Sequence, residues 1–475
     1  MIFFHSIIVF IYYLSYNNSN FLKENKMVPC MKNKLLLLIL LVLTTNAQDL
    51  KTTLNELIST NPTILERLHN YEATKQDVDS AFSEYYPKLD LTLGVGFEDT
   101  DKREQKLAVQ NGSADFNVYQ NSLKFTQNIF SGFSTKYKVE GQEYRSVSAA
   151  YSYVETVNNT SFNLVNSYIE LMKNRDLLDT AAQNVNIDKE ILSKVQKLYK
   201  SGLTTLSEVN KVESSLALAN SNYVVQENSL LDASYNLQRI LGRELDLKLL
   251  EKPTIHVLMP KTKEEALLYA LHNNPSLLVS QYNLLLAKST QYEKESPFYP
   301  KIDIEVSQTL NKNLSAVAGK EDRFRAMAYL TYNIFNGFAD DANLQKSKSA
   351  VFQEVETQNS IKRQIVSGLN LAWAAKTKLA EQLKYLKEYK EFSYKTLTLY
   401  SKEYDLGRRS LLDLLSAQND YIKAKAQIIS TEYSLLYAEY RILDAMGVLV
   451  PSVIGENKLV YSAVDLKIES PKAHK

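Results

Sequence analysis

Cysteine is nearly absent from this chain of 475 residues. Its one cysteine, Cys30, precedes the expected start of the mature protein, so the mature chain has neither disulfides nor thiol chemistry. A charge excess of one sign is also lacking. The net charge is +1 and no basic stripe stands out, which argues against nucleic acid as a partner.

The motifs of common enzyme sites are missing as well. The histidines after residue 47 do not lie at metal-ligand spacing, and the isolated glycines form no phosphate-binding loop. These histidines are His69, His256, His272 and His474. Carboxylates are plentiful, but they lie along predicted helices, where a solvated helix face explains them. The sequence therefore predicts a protein that is not an enzyme and that needs no cofactor or metal.

Residues 1–47 read as a mis-called leader followed by a signal peptide. A short basic stretch, 31–34, precedes an unbroken apolar core at 35–43, and small residues at 45–47 suit a cleavage site. The core is too short to cross a bilayer as a stable helix. Because Cys30 precedes this core rather than ending it, it does not fit a lipoprotein site.

A second apolar run at residues 2–14 precedes the signal peptide. A start codon placed too early explains it, with Met27 or Met31 as the true start; the alternative is a genuine membrane anchor. After residue 47 no stretch approaches 18 consecutive apolar residues, so we expect no transmembrane helix.

Two stretches, 199–209 and 404–414, each place a glycine-centred reversal between two long amphipathic segments. Each follows an Asn-Ile-Phe-x-Gly-Phe motif, at 128–133 or 333–338, and the glycine of the motif lies 70 positions before the glycine of the reversal. Glycine is scarce, with 13 residues, so a spacing that holds twice indicates an internal tandem duplication.

The duplication divides the chain into five segments. They are residues 1–47 (leader and signal peptide), 48–252 (first repeat), 253–261 (linker), 262–450 (second repeat) and 451–475 (C-terminal tail). Each repeat is predicted to contain a helix, a β-hairpin at 88–130 or 301–335, and a long helical hairpin with its tip near residue 202 or 407. The tail reads as polar, with one possible strand at 459–466.

The predicted hairpin strands alternate between apolar and polar residues. In the first strand the apolar positions are Leu89, Leu91, Leu93, Val95 and Phe97. A period of two predicts a strand with one apolar and one polar face, which suits a membrane-spanning strand with lipid on one side and water on the other. If only one such hairpin were present, a hairpin of a soluble β-sandwich would be the alternative interpretation.

The segment 134–200 contains no proline and only one glycine, and it carries an apolar residue at every seventh position. The stripe is Val157, Leu164, Leu171, Leu178, Val185, Leu192 and Tyr199. A sustained heptad predicts coiled-coil packing. Nearly seventy helical residues make a rod of roughly 100 Å. The second repeat carries a rod that ends at its own reversal.

Four strands cannot close a barrel, and open strand edges in lipid leave backbone groups without partners. Two chains would supply eight strands, enough only for a side-chain-filled interior, whereas three would supply twelve and a lumen. The sequence therefore predicts an α+β membrane protein. A homotrimer would share one 12-stranded barrel, in contact with outer-membrane lipid, that continues into one long α-helical coiled-coil barrel.

The chain resembles the TolC family of outer-membrane efflux and secretion ducts. Residues of about 50–450 carry the resemblance, which includes the duplication and both glycine tips. It also includes a Tyr-Pro pair at each strand entry and a glycine motif at each strand exit; the key positions are Pro87, Gly132, Pro300 and Gly337. Without a lipidated cysteine, the chain resembles the unlipidated branch.

The resemblance implies a trimeric duct in the outer membrane of a Gram-negative bacterium, with a helical tunnel in the periplasm. The implied partners are a periplasmic adaptor (membrane fusion) protein and an inner-membrane pump or ABC exporter. Its implied function is the passive outer-membrane channel of a tripartite efflux pump or a type I secretion system.

The resemblance also implies a periplasmic gate at the tips. In the family, the second-copy tip bends inward and closes the entrance through polar links that break on opening. Carried over by motif, these links join Tyr404 and Arg409 to Ser207 and Glu208, and Asp413 faces the pore. Independently of the family, three copies of Arg409 and Asp413 around one axis would form rings of charge.

The turns at the two tips consist of Gly202 with Leu203 and Gly407 with Arg408. The sequence departs from the family at Ser416, where well-known members place a second acidic ring, so strong cation block at the entrance is not expected. Arg408 makes the second tip more basic. The alternative is that the tip residues are ordinary solvated turn residues.

Three functions remain open at this point. A passive export duct is favoured because it uses both the strands and the rods. A periplasmic coiled-coil scaffold or adaptor would leave the lipid-suited strands unexplained, and extraction with outer-membrane fractions would exclude it. A general porin would need neither rods nor tips, and tip-dependent binding to an adaptor would exclude it.

Overall fold

The structure is a computed structural model that describes residues 49–99, 115–253, 255, 259–314, 319–455, 460, 462–464 and 466. The predicted leader and signal peptide at 1–47 lie outside the described residues. The described chain is mostly helical and contains one four-stranded sheet.

The regular elements fall into two series of similar order. The first series is α1 (Leu50–Thr60), α2 (Pro62–Phe82), β1 (Lys88–Asp99), β2 (Asp115–Phe130), α3 (Ser134–Lys200) and α4 (Leu206–Leu241). The second series is α5 (Lys263–Asn273), α6 (Pro275–Glu293), β3 (Lys301–Lys312), β4 (Lys320–Thr331), α7 (Ala339–Asp405) and α8 (Leu411–Ala445). A short helix, α9 (Leu449–Ile454), follows.

An asparagine before a proline sets the start of α2 and of α6. The Asn61 side chain accepts hydrogen bonds from the first backbone N–H groups of α2, and Asn274 does the same for α6. Each amide also donates to the last helix of its own series: Asn61 to the carbonyl of Ile240 at 3.2 Å, and Asn274 to that of Ala445 at 2.9 Å. Each asparagine therefore joins the beginning of its series to the end.

The change from strand to long helix has the same local form in both series. Phe133 and Phe338 adopt left-handed backbone conformations, with φ of 67° and 63°, and each follows a glycine with positive φ. Their rings make edge-to-face contacts with Phe130 (5.1 Å) and Phe335 (5.3 Å). These contacts fix the direction in which each long helix leaves the sheet.

The sheet is antiparallel with the order β1-β2-β3-β4, so β1 and β4 are its edges. The five alternating apolar residues of β1 are each at least 66% exposed. The described chain therefore leaves this apolar face uncovered. β4 ends at Thr331, which pairs with Lys301, whereas the sequence places the end of the hairpin at residue 335. The ladder stops because β3, the neighbour of β4 in the chain, offers no residue beyond Lys301.

The two long helices, α3 and α7, each span 67 residues. α3 agrees with the segment for which the sequence predicts an unbroken helix. Its main helical neighbours are α2, α4, α6 and α8, whereas those of α7 are α5, α6 and α8. α3 is accordingly buried along much of its length and α7 is largely exposed.

The main core lies where α1, α3 and the ends of α4 and α8 meet. It includes the fully buried side chains of Leu54, Leu164 and Tyr168. The Tyr168 hydroxyl donates to the carbonyl of Glu251 at 2.9 Å, which anchors the chain after α4. Within the described ranges, no helix has an apolar stretch long enough to cross a bilayer.

The expectation of a polar tail with a strand at 459–466 is wrong for the residues described there. Val453 and Ile454 of α9 are buried, and Val464 lies in a 3-10 helix, Ser462–Val464, and is buried too. The Tyr71 hydroxyl donates to the carbonyl of Val464 at 3.1 Å. These aliphatic residues join the main core because burial removes their apolar surface from water.

Candidate functional site at the paired helical tips

Each long helix ends in a glycine turn that reverses the chain. Gly202 and Gly407 have φ of 74° and 69°, a left-handed conformation that glycine adopts without a Cβ penalty. The N–H of Leu203 bonds the carbonyl five residues earlier at 2.9 Å, and the N–H of Arg408 does the same at the second tip. This Schellman-type pattern satisfies the last helix carbonyls and explains why glycine stands at both tips.

After the second turn, Ser410 caps α8. Its hydroxyl accepts from the Asp413 N–H at 3.1 Å and donates to the Asp413 carboxylate at 2.8 Å. A carboxylate in the first turn also lies favourably in the field of the helix dipole. Asp413 is therefore fixed at the start of α8, at the tip where the sequence predicts the gate.

Arg409 is held against the helix that precedes it. Its Nε donates to the Glu403 carboxylate at 2.9 Å, and its guanidinium lies over the Tyr400 ring, 4.1 Å from the centroid. A weaker ion pair with Asp413 has an N–O distance of 3.9 Å. Arg409 thus bridges the two sides of its own turn.

Tyr404 is only 9% exposed and packs between the two hairpins with Val209 and Leu411. Burial raises the pKa of its hydroxyl, and the nearby carboxylates of Glu208 and Asp405 raise it further. At pH 7 it is therefore a neutral hydroxyl close to two carboxylates, a suitable position for a polar link.

The first tip supplies Ser207 and Glu208, whose hydrogen bonds stay within that tip. Glu208 accepts from the Thr204 hydroxyl, and Ser207 bonds Thr205 at 2.9 Å. Within the described chain, the Arg409 guanidinium contacts Glu403 and Asp413 of the second tip rather than Ser207 and Glu208. The predicted links from Arg409 to Ser207 and Glu208 therefore remain a prediction.

Sequence reasoning missed an ion pair that joins the two tips directly. The Lys194 ammonium contacts the Asp405 carboxylate, so the end of α3 is linked to the end of α7. The two residues lie 211 positions apart. Asp405 falls in the second glycine-centred reversal, but no motif marks Lys194. Only the relative register of the two hairpins reveals the pair.

A buried polar layer lies above the tips. The Gln418 amide donates to Asp188 at 2.7 Å and to Asn184 at 3.0 Å, and the Ser215 hydroxyl donates to Asp188 at 3.3 Å. Burial raises the pKa of Asp188, and the hydrogen bonds that its carboxylate accepts from Gln418 and Ser215 oppose the increase. The signal in the sequence is an aspartate three positions after Val185 of the heptad stripe, where an apolar residue is expected.

The tips also expose large apolar side chains. They are Leu203, Leu206, Leu406 and Leu412, of which Leu203 and Leu406 are 75% and 70% exposed. Apolar groups clustered at one end of a molecule mark an interaction site.

At the other end of the rods, the predicted strand entries and exits lie at the junction of sheet and helices. Pro87 and Pro300 each directly precede a strand, β1 and β3. A Cβ on Gly132 would lie 2.5 Å from the Ser296 carbonyl oxygen, so only glycine fits there. Gly337 has a similar φ of 60° but open space around it.

Among the described residues, no group of three or more His, Cys, Asp or Glu side chains could hold a metal ion. The arrangement at the tips consists of turn bonds, ion pairs and exposed leucines. It is suited to holding or releasing helix ends and to binding another protein.

The chain is similar to known proteins along most of its length. It is 23% identical to the outer membrane efflux protein BepC of Brucella suis over 343 residues, covering 70% of this chain and 73% of BepC. It is 21% identical to the outer membrane protein TolC of Vibrio cholerae, covering 85% of this chain and 91% of TolC.

The fold matches solved structures of channels. The Campylobacter jejuni CmeC outer membrane channel superposes with a TM-score of 0.74 at 15% identity, covering 87% of this chain and 89% of CmeC. The model of the outer membrane efflux protein family matches residues 53–243 and 267–448. The chain therefore belongs to the outer membrane efflux protein family.

Proposed function

We propose that the protein is a homotrimeric passive duct. It would form the outer-membrane channel of a tripartite efflux pump or a type I secretion system. The observation that most strongly supports this proposal is a four-stranded sheet with an uncovered apolar face and two free edges, joined to two helices of 67 residues. The apolar face suits lipid, and helices of roughly 100 Å reach far beyond the bilayer, into the periplasm.

An internal duplication is supported by recurrent contacts. The family model matches the chain twice, once in each series of elements. The bond from Asn61 to Ile240 has its equivalent in the bond from Asn274 to Ala445. The duct would then be built from six similar repeats, two from each chain.

The free edges of the sheet support a ring of three chains. β1 and β4 each lack a strand on one side in the described chain, and such an edge is costly in lipid. Head-to-tail pairing of β4 with β1 of a neighbour removes both edges if the ring closes. Three chains supply 12 strands, enough for a lumen, whereas two supply eight and a filled interior.

The partners would bind at the tips. We infer that a periplasmic adaptor protein contacts the exposed leucines and that an inner-membrane pump or ABC exporter supplies the energy. The exposed leucines lie at the turns, at the far end of the rods from the strands. Residues 1–47, read as a leader and signal peptide, would direct export to the outer membrane.

The periplasmic gate would lie at the same tips. In the trimer, Arg409 and Asp413 would form rings of charge, and Tyr404 and Arg409 would link to Ser207 and Glu208. The turns at Gly202 and Gly407 would carry these residues. Exposed ion pairs contribute about 0–1 kcal/mol each, so several of them could close the entrance and still be released by an adaptor.

Single-channel conductance in a planar bilayer tests the duct and its gate. We expect a small, mostly closed conductance for the unaltered protein and a larger one for Arg409→Ala with Asp413→Ala. Arg408→Ala is the matched control, because it removes a neighbouring arginine whose backbone N–H alone takes part in the turn.

The outcomes separate the alternatives. A folded protein without any conductance would contradict the duct and favour a scaffold. A large conductance that neither variant changes would support the pore but show that the gate does not lie at Arg409 and Asp413. If Arg408→Ala increases the conductance as much as the double variant does, the charge of the tip, rather than the contacts of Arg409, controls opening.

A further inference from the structure

We propose that proton binding by Asp188 and Asp444 controls how firmly the two helical hairpins of one chain hold together. Both carboxyl groups lie in the α3–α8 seam, the line along which α3 packs against α8, taken here from Asn158 and Asp444 to Asp188 and Gln418. Proton uptake completes hydrogen bonds across this seam, and proton loss breaks them. The seam lies within one chain, so it depends neither on the proposed duct nor on the number of chains.

Carboxylates form hydrogen bonds across the seam at three heights, each with a neutral donor on the facing helix. They accept from Asn158 to Asp444 at 2.6 Å, from Tyr433 to Asp176 at 2.6 Å, and from Gln418 to Asp188 at 2.7 Å. Asn158 and Asp188 are 30 positions apart on α3, roughly 45 Å along the helix. Carboxyl groups therefore connect the two hairpins from the main core almost to the tips.

Asp188 is a buried carboxyl group without a counter-charge. It is 1% exposed, and it accepts hydrogen bonds from Gln418 of α8 and, at 3.3 Å, from the Ser215 hydroxyl of α4. These two groups, which α8 and α4 present to it, are neutral, and among the described residues no cationic side chain forms an ion pair with it. Burial removes the hydration of an ionised carboxylate, so this site favours the protonated form.

Asp444, at the other end of the seam, lies beside a polar cavity of about 290 Å³. The other charged side chains that line the cavity are Arg441 of α8, which favours the ionised form of Asp444, and Glu155 of α3, which accepts from the Ser276 hydroxyl at 2.5 Å. The side chains that α6 and α7 add to the lining are neutral. A polar cavity of this size can hold water, which gives protons access to Asp444.

The two amides that bond these carboxyl groups each have an oxygen that lacks a donor. Asn158 Oδ1 and Gln418 Oε1 are buried, and neither accepts a hydrogen bond within the part of the chain that the structure describes. The two residues are 6% and 1% exposed, so bulk water does not reach these oxygens either. A buried acceptor without a donor is destabilising. Each end of the seam is therefore short of one donor.

Asp176, in the middle of the seam, differs from the other two carboxyl groups. Its donor is the Tyr433 hydroxyl, which brings no carbonyl oxygen that needs a partner. The Arg175 guanidinium also lies 3.3 Å from the Asp176 carboxylate. Asp176 is thus compensated as an ion, and it serves as an internal comparison for Asp188 and Asp444.

A proton on each of the two outer carboxyl groups supplies the missing donor. A neutral carboxylic acid has one acceptor and one donor side by side, which match the N–H and C=O groups of a carboxamide. The carboxyl oxygen that the amide N–H does not bond then carries the proton and donates a hydrogen bond to Gln418 Oε1 or Asn158 Oδ1. The acid form makes two hydrogen bonds with its amide, whereas the ionised form makes one.

The pKa values give the direction of the pH dependence. Burial raises the pKa of Asp188, and it raises that of Asp444 to about 7. Because each pKa is higher in the folded protein than in the unfolded chain, the bound proton stabilises the fold at low pH. This contribution is lost as the pH rises through the pKa of the folded state. The seam is therefore tightest in acid and loosest in alkali.

Asp188 acts at the end of the seam that is closer to the tips. It lies 12 positions before Lys200, the last residue of α3, roughly 18 Å along the helix. Loss of its proton lets the second hairpin separate from the first at this end, whereas the main core still holds the other end. If the tips form the proposed gate, alkaline pH favours opening, and this consequence alone rests on the proposed function.

Infrared difference spectroscopy on the detergent-solubilised full chain tests whether the protons are present. A protonated carboxylic acid has a carbonyl stretching band that a carboxylate and a carboxamide lack. At pH 5 we expect Asp188→Asn and Asp444→Asn each to lose part of the band that the unaltered protein shows. At pH 9 we expect these differences to disappear. A variant whose band at pH 5 equals that of the unaltered protein would overturn the proposal for the residue replaced.

Distances between nitroxide labels, measured by pulsed electron paramagnetic resonance, test whether the protons hold the hairpins together. The labels are attached at Lys197→Cys and Lys402→Cys, exposed positions near the ends of α3 and α7, in a Cys30→Ser background. Dilution with unlabelled chain restricts the measured pairs to one chain. We expect a narrow distance distribution at pH 5 and a broader, longer one at pH 9. Asp188→Asn supplies a permanent donor and acceptor, so its distribution should stay narrow at both pH values.

Asp176→Asn is the matched control, because it changes a seam carboxylate that Arg175 already compensates. Its distribution should broaden between pH 5 and pH 9 as that of the unaltered protein does. If the distribution of Asp188→Asn broadens equally, Asp188 does not hold the hairpins together and the proposal is wrong.

A metal cation is the alternative occupant of the seam. If CaCl2, but not choline chloride of the same ionic strength, narrows the distribution of the unaltered protein at pH 9, a metal cation rather than a proton completes the seam, and the proton assignment is overturned. Both labels lie in one chain, so these results are independent of the oligomeric mass and of conductance. Failure of the seam can therefore be distinguished from failure of the proposed duct.

Discussion

The side-chain amide of Asn158, on α3, donates a hydrogen bond of 2.6 Å to the carboxylate of Asp444, near the end of α8. The bond joins the first series of elements to the second beside the main core. Burial raises the pKa of Asp444 to about 7, although the Asn158 hydrogen bond and the nearby Arg441 both oppose the increase. A carboxyl group that titrates near neutrality makes this junction sensitive to pH.

The pKa of Asp444 is higher in the folded protein than in the unfolded chain, so its proton stabilises the fold. That contribution is complete below about pH 4 and is lost as the pH rises to about 7. We therefore expect Asp444→Asn to be more stable than the unaltered protein at pH 8, by at most on the order of 4 kcal/mol, and nearly equal to it at pH 4.

Apparent melting temperatures at pH 4, 6 and 8 check this expectation. Asp420→Asn, at an exposed position of the same helix, is the matched control and should change the melting temperature little at any pH. A difference between Asp444→Asn and the unaltered protein that is the same at pH 4 and pH 8 would show that Asp444 does not titrate in this range.

Gly132 and Gly202 both have positive φ, but only Gly132 is crowded. A Cβ on Gly132 would lie 2.5 Å from the Ser296 carbonyl oxygen, whereas a Cβ on Gly202 meets open space. Gly202→Ala should cost only the left-handed penalty of about 1–2 kcal/mol. Gly132→Ala should cost more and lower both the melting temperature and the yield in outer-membrane fractions. Equal losses in the two variants would contradict the close contact.

The long helices could be predicted because local signals mark their ends. The segment from Ser134 to Lys200 has no proline, and glycines stand just outside both of its ends. The strands could be predicted because the alternation of apolar and polar residues is visible within each strand, without knowledge of the strands that pair with it. The end of β4 could not, since it depends on which residue of β3 pairs with Thr331. The sequence does not reveal that the tail is buried at Val464, because its contacts lie far away in the chain: Tyr71 is 393 positions before Val464.

The tip contacts depend on three-dimensional register. The bond of Arg409 to Glu403 arises because a tight turn returns the chain after six residues. A motif comparison instead assigns Arg409 to the other tip. The pair of Lys194 and Asp405 could be predicted only if the axial register between the two helical hairpins were known. The heptad pattern does not specify that register.

The ion pair of Lys194 with Asp405 should hold the two tips of one chain together without contributing much to overall stability. Both side chains are partly exposed, so the pair is worth about 0–1 kcal/mol. We expect Lys194→Ala to leave the melting temperature unchanged and to increase the open probability in single-channel recordings. The charge exchange Lys194→Asp with Asp405→Lys should restore the closed state. An exchange variant as open as Lys194→Ala would mean that the pair does not hold the tips.

The exposed leucines at the tips should be required for binding an adaptor but not for folding. Leu203 and Leu406 make little contact with the rest of the chain, so Leu203→Asp with Leu406→Asp should leave the melting temperature and the oligomeric state unchanged. Burial of two such side chains in a partner is worth about 1.5–3 kcal/mol each. Their replacement by carboxylates should therefore weaken binding by a factor of at least 100.

Binding of a purified periplasmic adaptor to the immobilised protein measures this loss. Leu218→Asp is the control, because Leu218 is similarly exposed but lies about 18 Å along α4 from Leu206. If binding depends on the tips, the control binds normally and the double variant does not. If both variants bind like the unaltered protein, the adaptor docks along the rods, and the exposed leucines must serve contacts among the tips themselves.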